Sequence, residues 1–223
     1  MTIPPSSDPV VIVGAARTPI GSFQGELADK RAPELGGVAI AAALGRAGVA
    51  PDEAGEVVMG CVLAAGLGQA PARQAARLAG LPDSVGCTTV NKMCGSGMKA
   101  VMLASDQIAA GQAEILVAGG MESMSNAPYL LDRARGGYRM GHGRVLDHMF
   151  VDGLEDAYEP GRLMGAYAED TAARYQFTRD DQDAFALRSL ERARKAAEEG
   201  ITAREIVAVE LGGRNGPALI EAD

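Results

Sequence analysis

The chain has 223 residues, enough for one large domain or one and a half smaller ones. Hydrophobic residues make up 47% of it, but aromatics only 4% and Trp is absent, so the core has to be aliphatic and closely packed. A net charge of −8 excludes the broad positive faces that nucleic-acid binding requires and fits an ordinary soluble cytoplasmic enzyme.

Residues 10–15 (VVIVGA) are a short apolar run that predicts a buried strand. Residues 33–47 open on Pro33 and place apolar side chains at Leu35, Val38, Ala39 and Ala42, which predicts a helix despite Gly36 and Gly37. A strand over 56–62, a helix over 70–79, a strand over 87–91, a helix over 95–110 and a strand over 114–119 follow. This alternation implies a mostly parallel sheet covered by helices. Residues 120–163 are rich in Gly, Met, Arg and Tyr and show little periodicity. A loop of that length is usually functional. Helices are predicted over 164–176 and 179–199. Thr178 and Asp181 form the start of a capping box for the second, and Asp180, Asp181 and Asp183 complement its dipole. Its apolar face runs through Ala186, Leu190, Ala193 and Ala197, and Gly200 stops it. Residues 204–211 read as a last strand before a Gly-rich turn.

Cys61, Cys87 and Cys94 form neither a CxxC pair nor a zinc-ligand spacing, so a reducing compartment is expected. No apolar run approaches the roughly 18 residues of a membrane span, and the first residues lack the features of a signal peptide. Cys61 and Cys87 read as buried structural residues. Cys94 is different, because it stands where a strand gives way to a helix, followed by Gly95 and Gly97. Backbone N–H groups at such a terminus stabilise anions, and a catalytic thiol has to become a thiolate. Two readings fit: a nucleophile, or a small inert hydrophobe. His142 and His148 are the only histidines that could serve as its base, and they are too few for a metal site. The glycine runs carry no P-loop lysine, which argues against nucleotide hydrolysis.

Five stretches together resemble the thiolases: ARTPIGSFQGELAD (16–29), GQAPARQAA (68–76), TTVNKMCGSGMKAV around Cys94, AGGMESMSNAPYLL (118–131) and LMGAYAEDTA (163–172). The resemblance covers nearly the whole chain, in order. It implies a layered α/β fold over residues 1–119, with a mostly parallel sheet covered by helices, and an inserted α+β loop domain over 120–223 that holds CoA. It makes Cys94 the nucleophile that takes an acyl group from acyl-CoA, with its backbone N–H in the oxyanion hole. It places Leu154 and Met164 along the pantetheine and acyl pocket, and Arg214 near the nucleotide end of CoA. A solvated turn arginine is the other reading of Arg214. Leu163 stands where the family often has His, which removes one polar contact. No cofactor is implied beyond the CoA thioesters that serve as substrates. The basic island of Arg133, Arg135, Arg139, His142 and Arg144 matches a loop that builds oligomers in the family, so a homo-oligomer is expected, with steering of anionic CoA as the second reading.

Thiolases are roughly twice as long as this chain. Their second half brings a His in a Gly-His-Pro motif, a Cys in a Cys-x-Gly motif and an Asn. Neither motif occurs here after Cys94 apart from CGSG itself. The expectation is therefore either an acyltransferase completed by a C-terminal half or a complementary chain, or a catalytically incomplete assembly fragment. A related condensing enzyme with the same layered fold ranks below both, since NKMCGSGM is a thiolase run.

Overall fold

The computed structural model describes residues 9–212 and 217–223. Three short parallel strands organise the first part of the chain: β1 (Glu56–Gly60), β2 (Gly86–Val90) and β3 (Leu116–Gly120), in the order β2–β1–β3. The register sets Glu56 between Gly86 and Leu116, and Gly60 between Val90 and Gly120, so the strands end level. Side chains alternate across β1. Val57, Met59 and Cys61 join a core with helices α1 (Ala32–Ala47) and α2 (Pro71–Leu78). Gly60 faces the other way, toward α3 (Ser96–Ala109). Parallel strands need such crossover helices, and the result is a layered α/β unit.

Helix α1 is where the predicted helix lies, but with a different face inward. Pro33, Gly36, Gly37, Ile40 and Leu44 are buried, while Leu35, Val38, Ala39 and Ala42 are only partly so. The glycines are the reason. A Cβ on Gly36 would meet Met121 Sδ at 2.7 Å, and one on Gly37 would meet Leu78 Cβ at 2.8 Å. The helix therefore packs through its backbone.

Residues 10–15 do not join the sheet. Val10, Val11, Ile12 and Val13 are exposed, and a cleft of ≈ 500 Å³ separates this segment from the outer edge of β3. Arg17 forms a parallel bridge with Ile206, and Val207 N donates to Arg17 O at 2.8 Å. The Arg46 guanidinium donates to Ala15 O and Ile206 O, both at 2.8 Å. These bonds take the segment along the returning chain rather than along β3. Arg17 also holds the Asp223 carboxylate through two bonds of 2.7 Å.

Because of those contacts, Ile206–Asp223 belongs to the same compact unit as the chain up to Ala127, and Pro128–Glu205 forms the second unit. This division differs from the boundary expected at residue 120. Within Ile206–Asp223, β6 (Val209–Leu211) pairs antiparallel with β7 (Ala218–Ile220), and Val209 is buried. The strand expected over 204–211 is confined to Val209–Leu211: residue 204 ends a 3-10 turn and Ile206 makes only an isolated bridge, to Arg17.

In the second unit, β4 (Tyr129–Leu130) pairs antiparallel with β5 (Leu146–Asp147), and the basic island occupies the exposed loop between them. Helices α4 (Met164–Tyr175) and α5 (Arg179–Glu198) follow. The capping box of α5 forms as expected: Asp181 N donates to Thr178 Oγ1 at 3.1 Å, and Thr178 N donates to Asp181 Oδ2 at 3.0 Å. The stripe of Ala186, Leu190, Ala193 and Ala197 is exposed, and neither α4 nor α5 has a buried residue. No helix among the described residues is long and apolar enough to cross a membrane.

Candidate active site

Cys94 lies four residues beyond the end of β2 and two before the first residue of α3. That is the carboxyl end of the parallel strands, where open α/β sheets bind their ligands. Its side chain is exposed. The turn is held by its own residues. Asn91 Oδ1 accepts from Met93 N at 2.9 Å, and Ser96 Oγ accepts from Lys92 N at 2.9 Å. Ser96 also donates to Met93 O, so one buried hydroxyl ties both ends of the turn together. Met93 adopts φ +51°, a left-handed conformation that a residue with a side chain enters at a cost. The strain sits next to the thiol.

Three glycines bring α3 down onto the strand ends. A Cβ on Gly60 would lie 2.6 Å from Ser96 Cβ and 2.7 Å from Gly97 N. A Cβ on Gly120 would lie 3.3 Å from Gly97 Cα. Ala100 and Ala104 continue this close approach along the buried side of α3. The first turn of α3 has neither an acidic residue nor a side-chain cap, so its positive end is not offset locally. The opposite side of α3 carries Met98 and Met102, and Val101 lies on its flank, all three exposed.

The other cysteines are structural in position. Cys61 is 2% exposed. Its thiol donates to Glu122 Oε1 at 3.6 Å, and the same carboxylate accepts from Val62 N at 2.8 Å and Leu63 N at 3.0 Å. Burial first, then the Glu122 charge and hydrogen bond, push the Cys61 thiol up from 9.0 to about 12. Cys87 packs against the core of α1 and α2, and burial raises its pKa too. Neither Glu122 nor Ser96 stands out in the sequence, because their partners are backbone groups that no local pattern reveals.

The second unit holds the remaining described candidates. Phe150–Leu154 forms a single π-helical turn closed by Glu155 N to Phe150 O at 2.8 Å. Glu155 then bridges antiparallel to Leu163. Leu154 and Met164 flank that bridge in sequence, Leu154 ending the π turn and Met164 opening α4. Leu154 is half-buried and Met164 is exposed. Arg162 closes the connecting loop through Glu159 and Asp170 and stacks on the Tyr167 ring at 4.0 Å. His142 is exposed in the basic loop, whereas His148 is buried and bonded to Asp152. Arg214 lies outside the described residues. No cluster of His, Cys, Asp and Glu able to hold a metal occurs among the described residues.

A layered sheet with an exposed cysteine at the head of a glycine-seated helix defines a class that a family comparison settles. The N-terminal domain of thiolase matches residues 10–223, and the chain belongs to that family. Among curated proteins it is 54% identical over 215 residues to an acetyl-CoA acetyltransferase of Cupriavidus necator, covering 96% of this chain and 54% of that protein. It is 55% identical over 212 residues to acetyl-CoA acetyltransferase 2 of Arabidopsis thaliana, covering 95% of this chain and 52% of the relative. An acetyl-CoA acetyltransferase of Pseudomonas aeruginosa is 49% identical over 210 residues, 94% of this chain and 53% of its own. The chain thus spans about half the length of the curated relatives it matches.

Proposed function

We propose that this chain supplies the nucleophile of a thiolase-type acyltransferase. The Cys94 thiolate attacks the thioester carbonyl of an acyl-CoA. The carbon–sulfur bond to CoA breaks, CoA leaves as a thiolate that takes up a proton, and the acyl group stays on Cys94. A second acyl-CoA, its α-proton removed by a base, then attacks the acyl carbon; the carbon–sulfur bond to Cys94 breaks and the Cys94 thiolate is restored. With acetyl-CoA the products are acetoacetyl-CoA and CoA, and thiolysis is the reverse. The observation that carries this reading is the exposed thiol at the unoffset N-terminus of α3, above the carboxyl ends of the sheet. Leu154 and Met164 would line the pantetheine and acyl portion, and Arg214 would meet the nucleotide end. No cofactor beyond the CoA thioester is required, and the reaction suits the cytoplasm.

The base and the second proton-handling group come, on this reading, from a C-terminal half or a complementary chain. Support comes from α3, whose Met98, Val101 and Met102 face solvent, an apolar surface of the kind that packs against a partner. The basic loop between β4 and β5 would serve assembly of a homo-oligomer. The second reading is an assembly fragment with an unactivated Cys94.

Mass spectrometry after incubation with acetyl-CoA separates the two. The chain is tested alone and with a separately expressed thiolase C-terminal half, with Cys94→Ala as control. An acetyl adduct on Cys94 when the second half is added supports the acyltransferase. No adduct in either mixture, with the two pieces shown to associate, sinks it and leaves the assembly fragment.

A further inference from the structure

The acyl-transfer reading leaves one buried titratable side chain unused. His148 is 4% exposed, and its Nδ1 lies 2.6 Å from Asp152 Oδ2. An ionised carboxylate only accepts, so the ring proton belongs on Nδ1. The two ends of this bond differ in kind. The ring is fixed, because His148 follows directly on β5 and its N–H donates to Pro128 O at 3.2 Å, extending the ladder with β4. Asp152 is 52% exposed and lies inside the π-helical turn Phe150–Leu154. A single π turn is uncommon and is often found at functional sites. Here one end is tied by the Glu155–Leu163 bridge, and the middle is tied by the His148–Asp152 bond.

We propose that His148 is a positioning residue for the CoA thioester: its bond to Asp152 holds the π turn that carries Leu154 up to the Glu155–Leu163 bridge. The inference rests on the reading that Leu154 and Met164 contact the pantetheine and acyl portion. His148 touches no reacting atom in this role. It anchors a rigid register, β4 to β5, to a turn that would otherwise sample wider conformations, and so sets affinity for the thioester rather than the rate of chemistry.

The test uses the intact chain with the complementary half present, and three variants. His148→Leu removes the donor. Asp152→Ala removes the exposed acceptor without disturbing the buried ring. His148→Asn keeps an N–H near the Nδ1 position. Amide exchange over residues 151–155 and a calorimetric CoA titration are read for each. A hydrogen bond to a charged group, partly open to solvent, corresponds to about a tenfold effect. His148→Leu and Asp152→Ala are expected to speed exchange at the Glu155 amide and weaken CoA binding by about that factor. His148→Asn is expected to recover most of both. Faster exchange spread over the whole second unit, or an Asn variant no better than Leu, would show a merely structural histidine. A wild type that binds CoA, with the Leu variant binding equally well, overturns the positioning role alone. A wild type that does not bind CoA overturns the pocket reading and the positioning role with it.

Discussion

Gly60→Ala tests whether the thiol's seat is built from backbone contact. The added methyl would stand 2.6 Å from Ser96 Cβ and Ser96 C, and 2.7 Å from Gly97 N. Ordinary contact begins near 3.4 Å, so the first turn of α3 has to retreat by about 0.8 Å. Nothing at the contact is a flexible side-chain end, and Ser96 is itself held by its bonds to Lys92 and Met93. Overpacking of this kind costs about 1–3 kcal/mol. At roughly 2–4 °C per kcal/mol for a chain of this size, a loss of several degrees in Tm is expected. The same displacement moves Cys94, so its alkylation by iodoacetamide should change in rate as well. Thermal melts and timed alkylation of the two proteins check both. A variant that melts with the wild type and alkylates at the same rate refutes the argument that this contact seats the helix.

Gly45→Ala is the complementary change: a Cβ there meets nothing within 4 Å, so α1 should gain about 0.5–1 kcal/mol in a denaturant titration. Glu122→Gln replaces an acceptor of two backbone N–H groups with an amide that can satisfy only part of that set, and should lower stability by about 1–3 kcal/mol in the same assay. Cys61 should resist thiol reagents at pH 8 while Cys94 reacts, as peptide mapping after labelling would show. Its folded pKa is raised, so the unfolded chain loses this proton first, and the Cys61 contribution to stability should fall as pH climbs from 9.0 toward about 12. The Asp181 carboxyl is held below its ordinary value by bonds from Thr178, so its contribution to α5 is present above the usual carboxylate range and lost as pH falls through the depressed value. The Thr178 amide, which donates to that carboxylate, should show this as faster exchange in acid.

Strand–helix alternation from β1 to β3 was legible because each element there has its own period and its own Gly or Pro boundary. The place of Cys94 between a strand end and a helix start was legible because a strand end, a cysteine and two glycines occur together. Two of the readings that differed from the structure did so for reasons visible in particular contacts. The face of α1 was misplaced because hydrophobic periodicity counts side chains, while Gly36 and Gly37 make contact by lacking them. Residues 10–15 have the composition of a buried strand, but Arg17 and Arg46 tie this stretch to Ile206 and Val207 instead of to β3. Composition gives the preference for burial and not the partner. In α5 the apolar stripe is present, yet no residue of the helix is buried in its own unit. The bonds of Glu122 and the pairing of His148 with Asp152 depend on folded geometry, and spacing alone does not disclose them.

Two of the large exposed apolar residues on α3 are methionines, Met98 at 72% and Met102 at 52% exposure. Met93, 46% exposed, brings a third sulfur next to Cys94. Peroxide would reach these atoms readily, and each sulfoxide turns a pliable apolar side chain into a polar one. None of the three belongs to the core around α1 and α2, so the chain could keep its fold while that surface lost its greasiness. Keeping peroxide out during purification and storage therefore matters for the methionines as much as for the thiol, and a preparation that melts normally could still carry an altered α3 surface.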